Sequence, residues 1–228
     1  MSVVIPALDE EAAIARVVAE IPAGLAREVV VVDNGSTDGT AEAARRAGAR
    51  VVSEPRRGYG RACLAGIAAL AADPPEVVVF LDADGSDAPV EMRLLLARIE
   101  EGCDLVIGSR VLGNAERGAL APQARHGNRL ACLLLRILFG ARFTDLGPFR
   151  AIRYPALRDL GMRDTNYGWT VEMQIRAARA GLACGEVPVS YRRRVGRSKI
   201  TGTVRGTVGA GAKILWTVFR HALAPGRR

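Results

Sequence analysis

No apolar run in this 228-residue chain is long enough to cross a bilayer. The longest, 131–141, is broken by Arg136, whereas a spanning helix needs about 20 residues. No CxxC pair occurs. The four cysteines, Cys63, Cys103, Cys132 and Cys184, are widely spaced among apolar or small neighbours, which argues against zinc and for buried free thiols. There is no GxxxxGK[ST], so a P-loop is excluded. Gly58-Tyr59-Gly60 does not follow the first strand and no GxGxxG completes it, so a dinucleotide site is unsupported. No internal repeat or low-complexity segment interrupts the chain. Acidic residues are missing from 187–228, a segment that holds ten Arg and Lys within a chain of net charge +8. Such asymmetry points to an anionic partner: phosphate, nucleic acid or an acidic membrane surface. Simple solubility is the plain alternative. With a strand starting at Ser2 and no signal-peptide pattern, the expected location is the cytoplasm, at or near the membrane face.

Aromatics are scarce, at 5%, so the core must be built from Ala, Val and Leu, a composition that suits helices packed on a sheet. The most informative stretch is 76–89. Val77-Val78-Val79-Phe80-Leu81 reads as a strand buried on both faces. Asp82, Asp84 and Asp87 follow at its C-terminal end, where ligands bind in open α/β sheets. Asp82 and Asp84 are two apart and project to the same side of an extended chain. Two convergent carboxylates suit Mg²⁺ or Mn²⁺ shared with substrate phosphates. The bland alternative is a solvated acidic loop, against which the apolar strand and tight spacing weigh.

Strands are expected at 2–6, 28–33, 50–53, 77–81 and 104–109, alternating with helices at 10–20, 40–47, 58–72 and 90–100. Asp9 is the expected cap of the first helix. This β-α alternation predicts a parallel sheet with helices on both faces. Beyond Arg110 the pattern changes. A loop at 111–125 precedes an apolar helix at 126–139, a strand at 149–153, a helix at 169–180 and a strand at 184–191. A basic loop, 192–203, leads to a last amphipathic helix at 204–223. The chain thus divides into a main unit, 1–203, and a C-terminal helix and basic tail, 204–228. Trp and Phe beside Arg and Lys on that helix suit a membrane interface. Packing on the domain or on a partner copy, giving a homo-oligomer, are the alternatives.

Several ordered motifs carry a resemblance. Val3-Val4-Ile5-Pro6-Ala7-Leu8-Asp9-Glu10-Glu11 and Val32-Asp33-Asn34-Gly35-Ser36-Thr37-Asp38-Gly39-Thr40 resemble the opening motifs of family 2 glycosyltransferases. Asp82-Ala83-Asp84 lies where that family has its metal-binding DxD. Gly108-Ser109-Arg110, the segment 145–150 and Arg197-Ser198-Lys199 extend the likeness to the polyprenyl-phosphate or dolichyl-phosphate mannose and glucose synthases. It covers about residues 2–205. It implies a GT-A fold, a UDP- or GDP-sugar donor and a divalent metal. It also implies inverting transfer of one hexose to polyprenyl phosphate at a peripheral membrane surface, not on nucleic acid. Two departures are notable: Asp9 stands where Asn is usual, and Ser86 where Gln or Asn is common.

On this resemblance, Pro6, Ala7 and Glu10 line the nucleoside pocket and Asp33 bonds the base. Gly58 and Gly60 admit the donor backbone-close, and Arg61 offsets diphosphate charge. Asp84 is the leading metal ligand, with Asp82 on nucleotide or metal and Ser86 a weak third ligand. Asp145 positions the sugar, or serves as base if the acceptor is a hydroxyl. Glu172 and Trp169 contact the sugar. Arg110, Arg129, Arg150, Arg194, Arg197 and Lys199 are candidates for the acceptor phosphate, with Arg110, Arg129 and Arg197 favoured. Arg110 and Arg197 would also act in the transfer itself. A phosphate monoester is largely ionised at neutral pH, so it needs cations rather than a base. A hydroxyl acceptor is the main alternative, and a non-catalytic anion-binding module the remaining one.

Overall fold

The apolar runs do become strands. The structure, a computed structural model, describes residues 1–196 and 204–223. The strands are β1 (Ser2–Ala7), β2 (Glu28–Asp33), β3 (Arg50–Ser53), β4 (Val77–Phe80), β5 (Leu105–Ser109), β6 (Arg150–Arg153) and β7 (Cys184–Pro188). They form one sheet in the order β3-β2-β1-β4-β6-β5-β7. Alternate side chains go to opposite faces. Val3, Ile5, Val31, Val79 and Val106 enter one buried cluster, and Val4, Val30, Val78, Phe80 and Ile107 the other. Each fully buried side chain of this size contributes about 1.5–3 kcal/mol, so both faces must be covered.

The helices supply that cover. α1 (Glu11–Ala19), α2 (Thr40–Arg46) and α4 (Met92–Glu100) close the first face with Ile14, Val17, Ala44, Leu95 and Ile99. On the second lie α3 (Tyr59–Ala69), α5 (Pro122–Phe139), α6 (Tyr154–Leu160), α7 (Trp169–Arg179) and α8 (Val204–Leu223). The α8 helix lies on α5 and α7. Its Val218 is fully buried in the same cluster as Trp169, so it is docked on the domain. No helix among the described residues is long and apolar enough to cross a membrane.

Several expectations need correction. The sheet is mostly parallel, but β6 runs antiparallel to both β4 and β5 and separates them. Strand alternation up to Ser109 could not reveal this, because β6 returns only after an excursion of some forty residues. The helix α6 was not anticipated, and α5 starts at Pro122, inside the expected loop. Asp9 does not cap α1, whose N-cap is Glu10 without a side-chain bond. Instead Asp9 takes a left-handed φ of 50° and its Oδ1 accepts from the Thr37 N–H at 2.7 Å. Asn and Asp tolerate that conformation, so Asp in place of Asn costs little there. Cys184 is exposed rather than buried.

Candidate active site

The C-terminal ends of β1, β2 and β4 meet at one edge, where Ala7 pairs in register with Asp33. A cleft of about 490 Å³ opens there. Pro6, Ala7, Glu10, Gly58, Asp82 and Asp84 all line it, as expected. Asn34, Tyr59, Asn166, Tyr167 and Arg194 line it too. Asn34 braces the cleft: its Nδ2 donates to the Glu54 and Arg56 carbonyls at 2.8 and 2.9 Å, and its Oδ1 accepts from Gly58 N–H at 2.7 Å. Asp33 and Arg61 are not among the lining residues. Asp33 accepts from Ser36 N–H at 3.1 Å, as in a local turn. The Arg61 N–H donates to the Thr165 carbonyl at 3.1 Å.

Gly58 and Gly60 do admit a close approach, but of the protein's own chain. A Cβ on Gly58 would run into the Thr165 carbonyl, and one on Gly60 into the Asp164 carbonyl. The turn at 164–167 is thereby seated against the start of α3 and forms one wall of the cleft.

The carboxylates cluster at the cleft floor. Asp84 Oδ1 accepts from the Ser86 N–H at 2.9 Å and the Ser86 hydroxyl at 2.5 Å. Its Oδ2 lies 3.2 Å from Arg194 Nη2, which also reaches Glu10 Oε1 at 3.1 Å. Asp87 Oδ2 accepts from Asp82 N–H at 3.1 Å. Asp82 Oδ1 and Asp87 Oδ1 are buried without a hydrogen-bond partner. Burial, and then the charge of Asp84, raise Asp82 to about 7. Burial, and then Asp82, push Asp87 well above the usual carboxylate range. Crowded buried carboxylates with orphaned oxygens and hard donors fit a divalent cation. Among the described residues no three Asp, Glu, His or Cys side chains converge as a complete cage. Two carboxylates with substrate phosphates completing the shell is the mode that small hard cations favour. Ser86 is not a third ligand facing the cleft. It is fully buried and its hydroxyl orients Asp84.

The segment after β7 straps this floor. Arg192 N–H donates to the Ser86 carbonyl at 2.8 Å and Val195 N–H to the Asp84 carbonyl at 2.9 Å. Tyr191 forms an isolated bridge with Asp87. Arg110 Cζ sits 5.0 Å from the Tyr191 ring centroid, which leads to a second pocket of about 350 Å³. Arg110, Arg125, Asn128, Arg129 and Asp145 are among its lining residues. Arg110 grips Asp145 in a fork, Nε to Oδ2 at 2.8 Å and Nη2 to Oδ1 at 2.7 Å, and its N–H adds a third bond at 2.8 Å. Burial opposes the Arg110 charge, but the Asp145 carboxylate outweighs it and holds the guanidinium above its ordinary pKa. Arg129 is exposed at the same pocket, beside Arg125.

Three expected substrate contacts are structural instead. Arg150 has no exposed surface. Its guanidinium donates to the carbonyls of Leu146, Gly147 and Thr170, and burial lowers its pKa to about 10. It cannot reach an acceptor phosphate. Trp169 is also fully buried, edge-on to Phe80 at 4.8 Å and Tyr59 at 6.1 Å, so it cannot stack on a sugar. Glu172 accepts from the Arg163 and Asp164 N–H groups at 3.0 and 2.6 Å and from Arg176 Nε at 2.8 Å, so it fixes the 163–164 turn. Arg197 and Lys199 lie outside the described residues. Arg194, a candidate for the acceptor phosphate, instead lines the donor cleft beside Glu10 and Asp84. The sequence signal for the lining residues not anticipated was uneven. Asn34 stands inside a motif already noted, while Asn166 and Tyr167 carried none.

The family model described as glycosyl transferase family 2 matches residues 2–161, most of the chain. The chain belongs to family 2 of the glycosyltransferases. Among its relatives, an uncharacterized glycosyltransferase of Mycobacterium tuberculosis is 42% identical over 91% of this chain and 93% of the other. The dolichyl-phosphate hexose transferase of Haloferax volcanii is 39% identical over 88% and 86%. Among solved structures, glucosyl-3-phosphoglycerate synthase from Mycobacterium tuberculosis, in complex with Mn²⁺, UDP and glucosyl-3-phosphoglycerate, superposes with a TM-score of 0.77 at 28% identity. That match covers 99% of this chain and 81% of the synthase. The mostly parallel sheet with helices on both faces is therefore the GT-A fold of this glycosyltransferase family.

Proposed function

We propose that this glycosyltransferase moves one hexose, with inversion, from a UDP- or GDP-sugar to polyprenyl phosphate at a membrane surface. The cleft at the ends of β1, β2 and β4 takes the donor. Asp84 and Asp82 would hold Mg²⁺ or Mn²⁺, which, when bound, neutralises the diphosphate as it leaves. Pro6, Ala7 and Glu10 contact the nucleoside side, and Asn34 and Tyr167 close it. The second pocket takes the acceptor, with Arg110 and Arg129 on its phosphate. An acceptor oxygen attacks the anomeric carbon while the bond to the diphosphate oxygen breaks. No proton has to be removed from the acceptor, because the phosphate is already ionised.

The observation that carries this choice of acceptor is the state of Asp145. Among the described residues it is the one carboxylate lining the second pocket. It is 1% exposed and both its oxygens are held by Arg110. A hydroxyl acceptor needs a base there, and Asp145 is poorly placed to be one. Arginines, by contrast, are what a phosphate acceptor needs. A small phosphorylated acid such as phosphoglyceric acid, the ligand of the similar synthase, would suit the same charges. The test is a donor panel run with polyprenyl phosphate, polyprenol and 3-phosphoglycerate, scored for released UDP or GDP. Turnover with polyprenyl phosphate alone is expected. Turnover with polyprenol but not its phosphate would sink the proposal, and turnover with 3-phosphoglycerate alone would move it to the small acid.

A further inference from the structure

Two neighbouring helices carry apolar stripes that nothing among the described residues covers. On α5, Leu130, Leu133 and Ile137 are exposed at i, i+3 and i+7, with Ile137 at 67%. On α8, Trp216, Phe219 and Leu223 repeat the spacing, with Leu223 at 85%. The two helices pack on each other. Their opposite sides account for their folding. Ala131, Cys132 and Leu135 bury one side of α5, and Val218 and Thr217 one side of α8. The outer stripes are therefore surplus to the fold.

Charge says what covers them. Neither helix contains a single acidic residue. Arg136 flanks the α5 stripe, and Trp216 lies between Arg220 and Lys213, whose charged groups stand 5.0 and 4.3 Å from its ring centroid, the Lys213 ammonium also pairing with Asp164. An indole set between cations on an apolar stripe is interfacial chemistry. A second copy of this face would set the same positive charges against one another, so self-association is the poorer fit.

We infer that α5 and α8 together form a docking face for an anionic lipid bilayer. The first turns of α5 also line the second pocket, through Ala124, Arg125, Asn128 and Arg129. Docking along α5 holds the mouth of that pocket at the depth of lipid headgroups. This last step rests on the polyprenyl-phosphate reading above, whereas the docking face itself does not.

The test uses vesicles of equal parts phosphatidylcholine and phosphatidylglycerol, free of any prenyl phosphate. Binding is read by co-sedimentation and by Trp216 emission, since the only other tryptophan, Trp169, is already buried. Wild-type protein is expected to bind with a blue shift and to release in high salt. Leu133→Ser with Ile137→Ser, and separately Trp216→Ser with Phe219→Ser, should each weaken binding by at least about tenfold. Arg136→Glu with Arg220→Glu should abolish the preference over pure phosphatidylcholine. Thermal midpoint and nucleotide affinity should stay unchanged in all three. An α5 pair that binds like wild type, no vesicle binding at all, or a soluble dimer that the stripe variants dissociate would each overturn the inference. A water-soluble short-chain prenyl phosphate, assayed without vesicles, tests the acceptor reading separately.

Discussion

The oxygens of Asp84 have different partners. Ser86 holds one, and Arg194 neutralises the other. The hydroxyl that looked like a spare metal ligand is an orienting group, and the arginine that looked like an acceptor contact is a counter-ion in the donor cleft. Sequence placed Ser86 beside the DxD but could not say which way it points, and it gave no sign that Arg194 reaches Asp84. Ser86→Ala should therefore raise the Mn²⁺ concentration needed for half-maximal rate by roughly tenfold, the order seen when an orienting partner of a metal ligand is lost. Ser86→Gln should not rescue it, because the site has no room for a longer chain. An improved titration with Gln would restore the ligand role. Arg194→Gln is expected to tighten Mn²⁺ binding to the nucleotide-free protein, read by electron paramagnetic resonance, since the ion no longer displaces a guanidinium from Asp84. Unchanged or weaker binding would mean that Arg194 does not compete with the ion.

Among the elements, α8 and the turn at 164–167 act together. Lys213 Nζ lies 2.9 Å from Asp164 Oδ2, and Thr217 abuts Gly168, so the inner side of α8 holds the turn that walls the donor cleft. Gly60 receives that turn from the other side. Gly60→Ala should push the Asp164 carbonyl away, cost about 1–3 kcal/mol of stability and weaken nucleotide affinity, measured by calorimetry. Native affinity in a fully folded Gly60→Ala protein would show the wall to be dispensable. His221 gives α8 a pH dependence. Burial, then Arg176, lower its pKa below 6.5, with Arg179 and Arg220 adding to this and Glu172 opposing it. A base whose folded pKa is depressed binds fewer protons folded than unfolded, so stability falls as pH drops below about 6.5 and levels off below the folded value. Thermal midpoints of wild type and His221→Asn across that range should converge in slope only if another group is responsible. The expected result is a flatter profile for the variant.

For the whole molecule, charge and topology were unequally legible. The +8 charge and its concentration near the C-terminus are in the composition. The exposed Arg125 and Arg129 of the second pocket predict that added salt raises the KM for polyprenyl phosphate more than the KM for the nucleotide sugar, because screening acts on them. Equal effects on both constants would place that charge at the donor. The strands bearing the donor cleft were also legible, since β1, β2 and β4 are continuous apolar runs ending in polar motifs. The roles of Arg150, Trp169 and Glu172 were not. A motif shows that a residue belongs to a family pattern, but the pattern includes residues that only hold the others in place. The antiparallel β6 was hidden for a related reason, since its neighbours are chosen by contacts far away in sequence.

That placement of β6 bears on how the chain is made. The strands β4 and β5 are consecutive in sequence, yet neither pairs with the other. During synthesis β4, paired on one side to β1, waits with its other edge unpaired for residues 150–153 to emerge, and β5 waits with both edges unpaired until β6 and then β7 follow. The waiting edges belong to Val77–Phe80 and Leu105–Ser109, which are buried throughout in the finished protein. Bare apolar edges of this kind recruit strands from other molecules. A ribosome stalled, or a gene cut, shortly before Arg150 would thus release a chain with a strong tendency to aggregate, and the sheet is sealed only once both residues 150–153 and 184–188 have emerged.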